Sequence, residues 1–83
     1  MVARCVTLDQ LPTDHPATLG RIDWAALDAR ESRRLRELGF DEGAHVVILH
    51  KAGLVAHDPI AVKIGRMTVA IRAQHASAMQ IAP

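Results

Sequence analysis

Arg33-Arg34-Leu35-Arg36-Glu37-Leu38-Gly39-Phe40-Asp41-Glu42-Gly43 is the stretch that decides the fold. A helical pattern runs into one glycine, the chain turns at a second, and a series of strand-like segments begins. Gly39 stands where a helix C-terminus needs positive φ, which a residue without Cβ adopts freely. With Leu38 as the capping residue, Leu35 and Phe40 take the two positions whose side chains meet across a Schellman ending. Gly43, behind Asp41-Glu42, closes a tight turn into the first long strand.

Upstream, Asp28-Ala29-Arg30-Glu31 is a D-x-x-E capping box that opens the helix leading to Leu38. Leu27, Leu35 and Leu38 share one face, whereas Arg30, Arg33 and Arg36 project from the other among Glu31 and Glu37, as on a solvated face. Ile22, Trp24 and Ala26 alternate with Asp23 and Ala25, which predicts a half-buried strand with Trp24 as a core or sheet-edge anchor. Gly20 marks a bulge or a close backbone approach within it. Thr7 to Pro12 reads as one helical turn capped by Thr7, and Thr13 to Pro16 as a loop.

Downstream, Ala44 to Lys51 is rich in β-branched residues. Ile60, Val62 and Ile64 alternate cleanly with Ala61, Lys63 and Gly65, and Met67, Val69 and Ile71 continue the inward set after a Gly65-Arg66 turn. The link from Ala52 to Pro59 is too long for a tight hairpin and predicts a protruding loop. Ala73 to Ala78 fits a short helical turn and Met79 to Ile81 a last strand. The fold class is therefore mainly β: a small, partly open barrel with one inserted α-helix and short helical turns.

At 83 residues the chain has room for one domain, and 49% hydrophobic against 23% charged residues is the balance of a folded core rather than of disorder. Net charge is +1, yet from Ala44 onward Lys51, Lys63, Arg66 and Arg72 face Asp58 alone. That mild basic bias, with only Trp24 and Phe40 as aromatics, offers no stacking platform for nucleic acid. Cys5 is single, which excludes a disulfide framework or a CxxC site. No apolar run approaches the ~20 residues of a membrane span, and no leader pattern follows Arg4. The expectation is a soluble, cytoplasmic domain.

Catalytic motifs are missing: no Gly-rich phosphate loop, no G-x-S-x-G elbow and no H-E-x-x-H. The chain is read as a non-enzyme. Of five histidines, His45 and His50 are five apart on a strand and so point to opposite faces. His57 and Asp58, adjacent in the protruding loop, are the candidate metal ligands, for weak and non-obligatory association with Fe²⁺ or Zn²⁺. Closed Cys/His spacing of a structural zinc site is absent.

Taken in order, these segments resemble the FeoA family of bacterial ferrous-iron transport accessory proteins. Arg34 to Gly43 looks like the family's R-L-x-x-L-G-[hydrophobic]-x-x-G, and Val46-Val47-Ile48, Gly53-Leu54, Asp58 to Val62, Val69 to Arg72 and Ala76 to Ile81 follow at matching spacings. Leu35, Leu38, Gly39, Gly43 and Pro59 form its structural signature here. The likeness spans about Val6 to Ile81 and departs from the family at Ala56-His57, which replace a glycine region. It implies an SH3-like barrel and a partner, the GTP-binding ferrous-iron permease FeoB, whose cytoplasmic region would recruit the domain to the inner face of the membrane.

On that reading the working surface is an aliphatic groove around Leu54 and Val55, with His57, Asp58 and Arg72 as further partner-binding residues. Alternation sets Arg72 opposite the core, where it is free to meet a partner or to pair with Glu37 or Glu42. Two alternatives stand beside it. One is a regulatory module like the SH3-like domains of metal-dependent repressors, although no helix-turn-helix precedes it in this sequence. The other is a homo-oligomer bridged by metal at His57 and Asp58.

Overall fold

The computed structural model describes residues 6–52 and 58–82. Cys5, Gly53, Leu54, Val55 and His57 lie outside the described residues. The strands are β1 (Pro16–Ile22), β2 (His45–Lys51), β3 (Ile60–Ile64), β4 (Met67–Ile71) and β5 (Met79–Ile81), joined by helices α1 (Ala29–Leu38) and α2 (Ala73–Ala76). All pairings are antiparallel, in the order β4-β3-β2-β1-β5, and the sheet curls around one core without closing.

The helix begins and ends as its sequence requires. Asp28 Oδ1 accepts from Glu31 N–H at 2.8 Å, satisfying one of the orphan donors of the first turn. At the other end Gly39, at φ 106°, donates to the Arg36 carbonyl, and Phe40 N–H reaches the Leu35 carbonyl, both at 3.0 Å. These are the two bonds of a Schellman motif. Their consequence is packing: Leu35 and Phe40 are both fully buried in the core. A turn follows, with Gly43 at φ 88° and Ala44 N–H bonded to the Asp41 carbonyl, and Gly43 N–H docks on the Leu19 carbonyl of β1.

Two irregularities curl the sheet. The first half of β1 pairs with β2 and the second half with β5, with a register shift between Leu19 and Ile22. Gly20 sits in that shift because a Cβ there would come within 3.3 Å of the Ala82 backbone nitrogen. In β2 the register shifts between Ile48 and His50, leaving Leu49 as the extra, exposed residue. Asp14, at φ 60°, turns its N–H onto the Ile48 carbonyl at 2.7 Å and so holds the Thr13–His15 loop against the bulge. Thr7 opens a 3-10 turn (Leu8–Gln10) and receives the Gln10 side chain on its N–H, which buries Leu8 under the barrel.

Four expectations change. The strand through Trp24 ends at Ile22, and Trp24–Ala26 is a 3-10 turn instead. Three alternating residues are too few to separate a strand from a turn. Within Trp24–Ala26 only Trp24 is partly buried, while Ala25 and Ala26 are both exposed. Leu38 is only half-buried, lying at the rim of the face that Leu35 occupies. Met67 is 45% exposed because it stands beyond the end of the core that Ile71 and, in part, Val69 still reach. The bulge in β2 places His50 opposite Ala61, which lies on the side of the sheet shared by Lys63, Val47 and His45. His45 and His50 therefore face the same way. About four rungs still separate them, roughly 13 Å, so one ion cannot bridge them.

Core truncation should scale with these burials. Leu35→Ala is expected to cost about 2–5 kcal/mol, and Leu38→Ala roughly half of that. Gly39→Ala should cost about 1–2 kcal/mol for the left-handed backbone alone, since its Cβ would meet only Ile64 side-chain atoms at 3.6 Å or more. Urea titrations followed by Trp24 fluorescence measure all three; equal losses for Leu35→Ala and Leu38→Ala would contradict the packing.

Candidate interaction surface

Asp58 is the best-defined of the residues singled out in the loop. Its Oδ1 accepts from Ala73 N–H at 2.6 Å, capping the first turn of α2 from a residue fifteen positions upstream. The bond ties the start of β3 to the end of β4, because Arg72 immediately precedes that N–H and Pro59 immediately follows the carboxylate. The Pro59 carbonyl in turn accepts from Ala52 N–H at 3.0 Å and joins the residues on either side of 53–57. Asp58 and Arg72 are thus neighbours through backbone. Arg72 itself is exposed and pairs with neither Glu37 nor Glu42.

A shallow hollow opens beside them, lined by Glu31, Arg34, Pro59, Ala70, Arg72 and His75 among others. Glu31 Oε2 is its one acidic atom cluster, placed 3.5 Å from Arg34 Nη1 and 3.4 Å from His75 Nδ1. The His75 nitrogen is buried without an aligned hydrogen-bond partner among the described residues, so that contact is a proximity and not a directed bond. Arg34 also reaches across to the Ala70 carbonyl at 3.4 Å. The hollow therefore presents two arginines, with its carboxylate already occupied.

The pairing of Arg34 with Glu31 is an ordinary i,i+3 helix contact, but the environment of Trp24 is not evident in the sequence. Trp24 is half-buried, and the Arg36 guanidinium lies over its ring, 4.4 Å from the centroid. Such a contact contributes about 0.5–1 kcal/mol at an exposed site. Twelve residues separate the pair, beyond any local spacing rule, and only the path of the chain from the 3-10 turn into α1 brings them together. Leu54, Val55 and His57 lie outside the described residues. Among the described residues no three His, Cys, Asp or Glu side chains are grouped to hold a metal ion. No helix among the described residues is long and apolar enough to cross a membrane.

Comparison with known proteins follows the same outline. The FeoA domain family model matches residues 6–83. Among solved structures, the Stenotrophomonas maltophilia FeoA complexed with zinc, described as an SH3 domain protein and candidate ferrous iron transport activating factor, is 33% identical. The alignment covers 93% of this chain and 89% of that one, with a TM-score of 0.74. The Chlorobium tepidum FeoA protein is 26% identical over 92% of this chain and 68% of that one, at a TM-score of 0.78. Iron(II) transport protein A of Clostridium thermocellum is 25% identical over 92% of this chain, at 0.77, and this chain spans only 44% of its length. No match occurs among curated protein sequences. The open antiparallel sheet described above is an SH3-like domain.

The Asp58 cap gives a direct check on how the loop is anchored. Asp58→Ala should cost about 0.5–2 kcal/mol, the usual loss of a helix cap, and should speed hydrogen exchange at the Ala73 amide. Asp58→Asn keeps an acceptor oxygen and is expected to retain most of the stability. Unchanged exchange at Ala73 in the alanine variant would show that the cap does not operate.

Proposed function

This chain belongs to the FeoA family, and we propose that it is a non-enzymatic interaction module of bacterial ferrous-iron uptake that docks on the cytoplasmic region of the permease FeoB and modulates it. The observation that carries this reading is the family match over residues 6–83. It is supported by the 33% identical Stenotrophomonas maltophilia protein, which is described as a candidate ferrous iron transport activating factor. A domain of this kind acts by presenting a surface to its partner.

The surface proposed for the permease is the loop and strand margin from Ala52 to Ile60. Leu54 and Val55 would supply apolar contact, and His57, Asp58 and Arg72 would supply polar contact at its border. Asp58 and Arg72 meet at the Ala73 N–H, so the margin of this surface is held by the fold. Such a module works on the cytoplasmic side and meets the membrane only through the transporter.

Fe²⁺ or Zn²⁺ would associate weakly, through His57 and Asp58, and would not be required for docking. The described donors do not make a metal site: Asp58 commits one carboxylate oxygen to Ala73, and no further ligand is grouped with it. A homo-oligomer joined by metal at these two residues is the competing arrangement, and its mass would fall on adding chelator.

Capture of the permease's soluble cytoplasmic domain on the immobilised chain tests the proposal. Wild-type protein is expected to retain the domain with and without chelator, and Leu54→Asp to lose most of the capture while unfolding at the same urea concentration. Wild-type protein that never retains the domain, in cells whose Fe²⁺ uptake is unaffected by its deletion, would end this reading. Isothermal calorimetry should detect at most millimolar-range affinity for Zn²⁺, abolished by His57→Ala.

A further inference from the structure

The sheet ends on β4, and the outer edge of that strand is used neither by the core nor by the loop surface above. The Gly65-Arg66 turn joins Ile64 and Met67 as partners, with Gly65 at φ 59°. In a two-residue hairpin those flanking residues exchange hydrogen bonds, so Met67, Val69 and Ile71 direct their backbone groups at β3. Thr68 and Ala70 direct theirs away from the sheet, and both residues are exposed. The Ala70 carbonyl displays that direction by accepting from Arg34 Nη2. Among the described residues, the Thr68 N–H and carbonyl and the Ala70 N–H have no partner. The opposite margin of the sheet is covered: Ile81 N–H donates to the Val6 carbonyl at 2.7 Å, and Thr7 bridges Gln80.

Side chains along β4 define what the edge would accept. On the inner side, Met67 is 45% exposed and Val69 half-buried, an apolar shelf continuous with the core at Ile71. On the outer side Lys63 stands opposite Thr68, while exposed Arg66 and Arg72 flank the strand at its two ends. Of the acids beside it, Glu31 is paired with Arg34, and Asp58 accepts from Ala73 N–H. The basic bias of the C-terminal half is thus concentrated around one open edge. In the register centred on Val69 a second copy is a poor occupant. Antiparallel pairing about Val69 would set Arg66 of each copy against Arg72 of the other, and like charges placed opposite one another repel.

We propose that the β4 edge binds, by strand addition, an extended acidic polypeptide segment in which apolar and acidic residues alternate. Its backbone completes the hydrogen bonds of Thr68 and Ala70, its apolar side chains cover Met67 and Val69, and its carboxylates face Lys63, Arg66 and Arg72. The assignment holds whether or not the permease carries such a segment.

The test uses isotope-labelled protein and a short end-capped peptide of alternating Val and Glu, with the Val and Lys counterpart as control. The acidic peptide is expected to shift the Thr68 and Ala70 amide resonances, slow their exchange with solvent and dissociate as salt is raised; the basic peptide should do none of these. Thr68→Pro removes one outward N–H without touching the ladder to β3 and should weaken binding on the order of tenfold. Arg72→Glu, at an exposed side chain, should weaken it comparably, with β2 and β3 resonances unmoved in both variants. Shifts confined to other strands, equal binding of the basic peptide, no binding of the acidic one, or full binding by folded Thr68→Pro or Arg72→Glu would overturn the proposal. Concentration-dependent shifts at Thr68 and Ala70 without peptide would assign the edge to a second copy and overturn it equally.

Discussion

Gly39 N–H on the Arg36 carbonyl and Phe40 N–H on the Leu35 carbonyl are the two hydrogen bonds on which the rest of the domain depends. They stop α1, reverse the chain through a left-handed residue and bring the side chains of Leu35 and Phe40 into the same core. Turning at this point lets Gly43 and Ala44 exchange backbone bonds with Leu19, so β2 starts in register with β1. A side chain at Gly39 would strain the turn, and truncation at Leu35 would empty the space it creates. Helix and barrel are therefore one cooperative unit, joined where each would otherwise have an unsatisfied end.

The same economy of backbone partners governs the far side of the molecule. Asp58 satisfies the first N–H of α2, and in doing so connects the loop after β2 to the end of β4. Arg34 fills one outward carbonyl of β4, and Val6 and Thr7 cover β5. What is left over is a short exposed run of β4 backbone with cations around it. Native sheets commonly blunt such edges with charge, and here the charge has a single sign. That arrangement discourages self-pairing and favours an acidic strand.

Much of this was readable from residue order. Asp28 and Glu31, Leu35, Gly39, Phe40 and Gly43 announce helix start, helix stop and turn, because caps and left-handed residues are local requirements that few side chains meet. Period-two alternation in Ile60 to Ile64 identified a core strand for the same reason. Where alternation was short or reached beyond the core, it misled. Trp24 sits in a 3-10 turn, and Met67 is exposed although it has the inward parity. The histidine pair shows the limit most clearly: parity placed His45 and His50 on opposite faces, and a single inserted residue at Leu49 puts them on the same one.

Caps, turns, the strand series and the family likeness follow from the sequence, since each rests on residues within a few positions of one another. Tertiary structure decided the rest: that Arg36 lies on Trp24, that Asp58 caps a helix fifteen residues away, and that Arg34 meets the edge of β4. These contacts join segments far apart in the chain. Of the two irregularities that curl the sheet, Gly20 marked one in the sequence, and no local pattern marked the other, at Leu49. The scattered lysines and arginines of the C-terminal half looked like an ordinary solvated surface in one dimension. Folding places several of them around one unpaired strand, where their common sign acquires a direction.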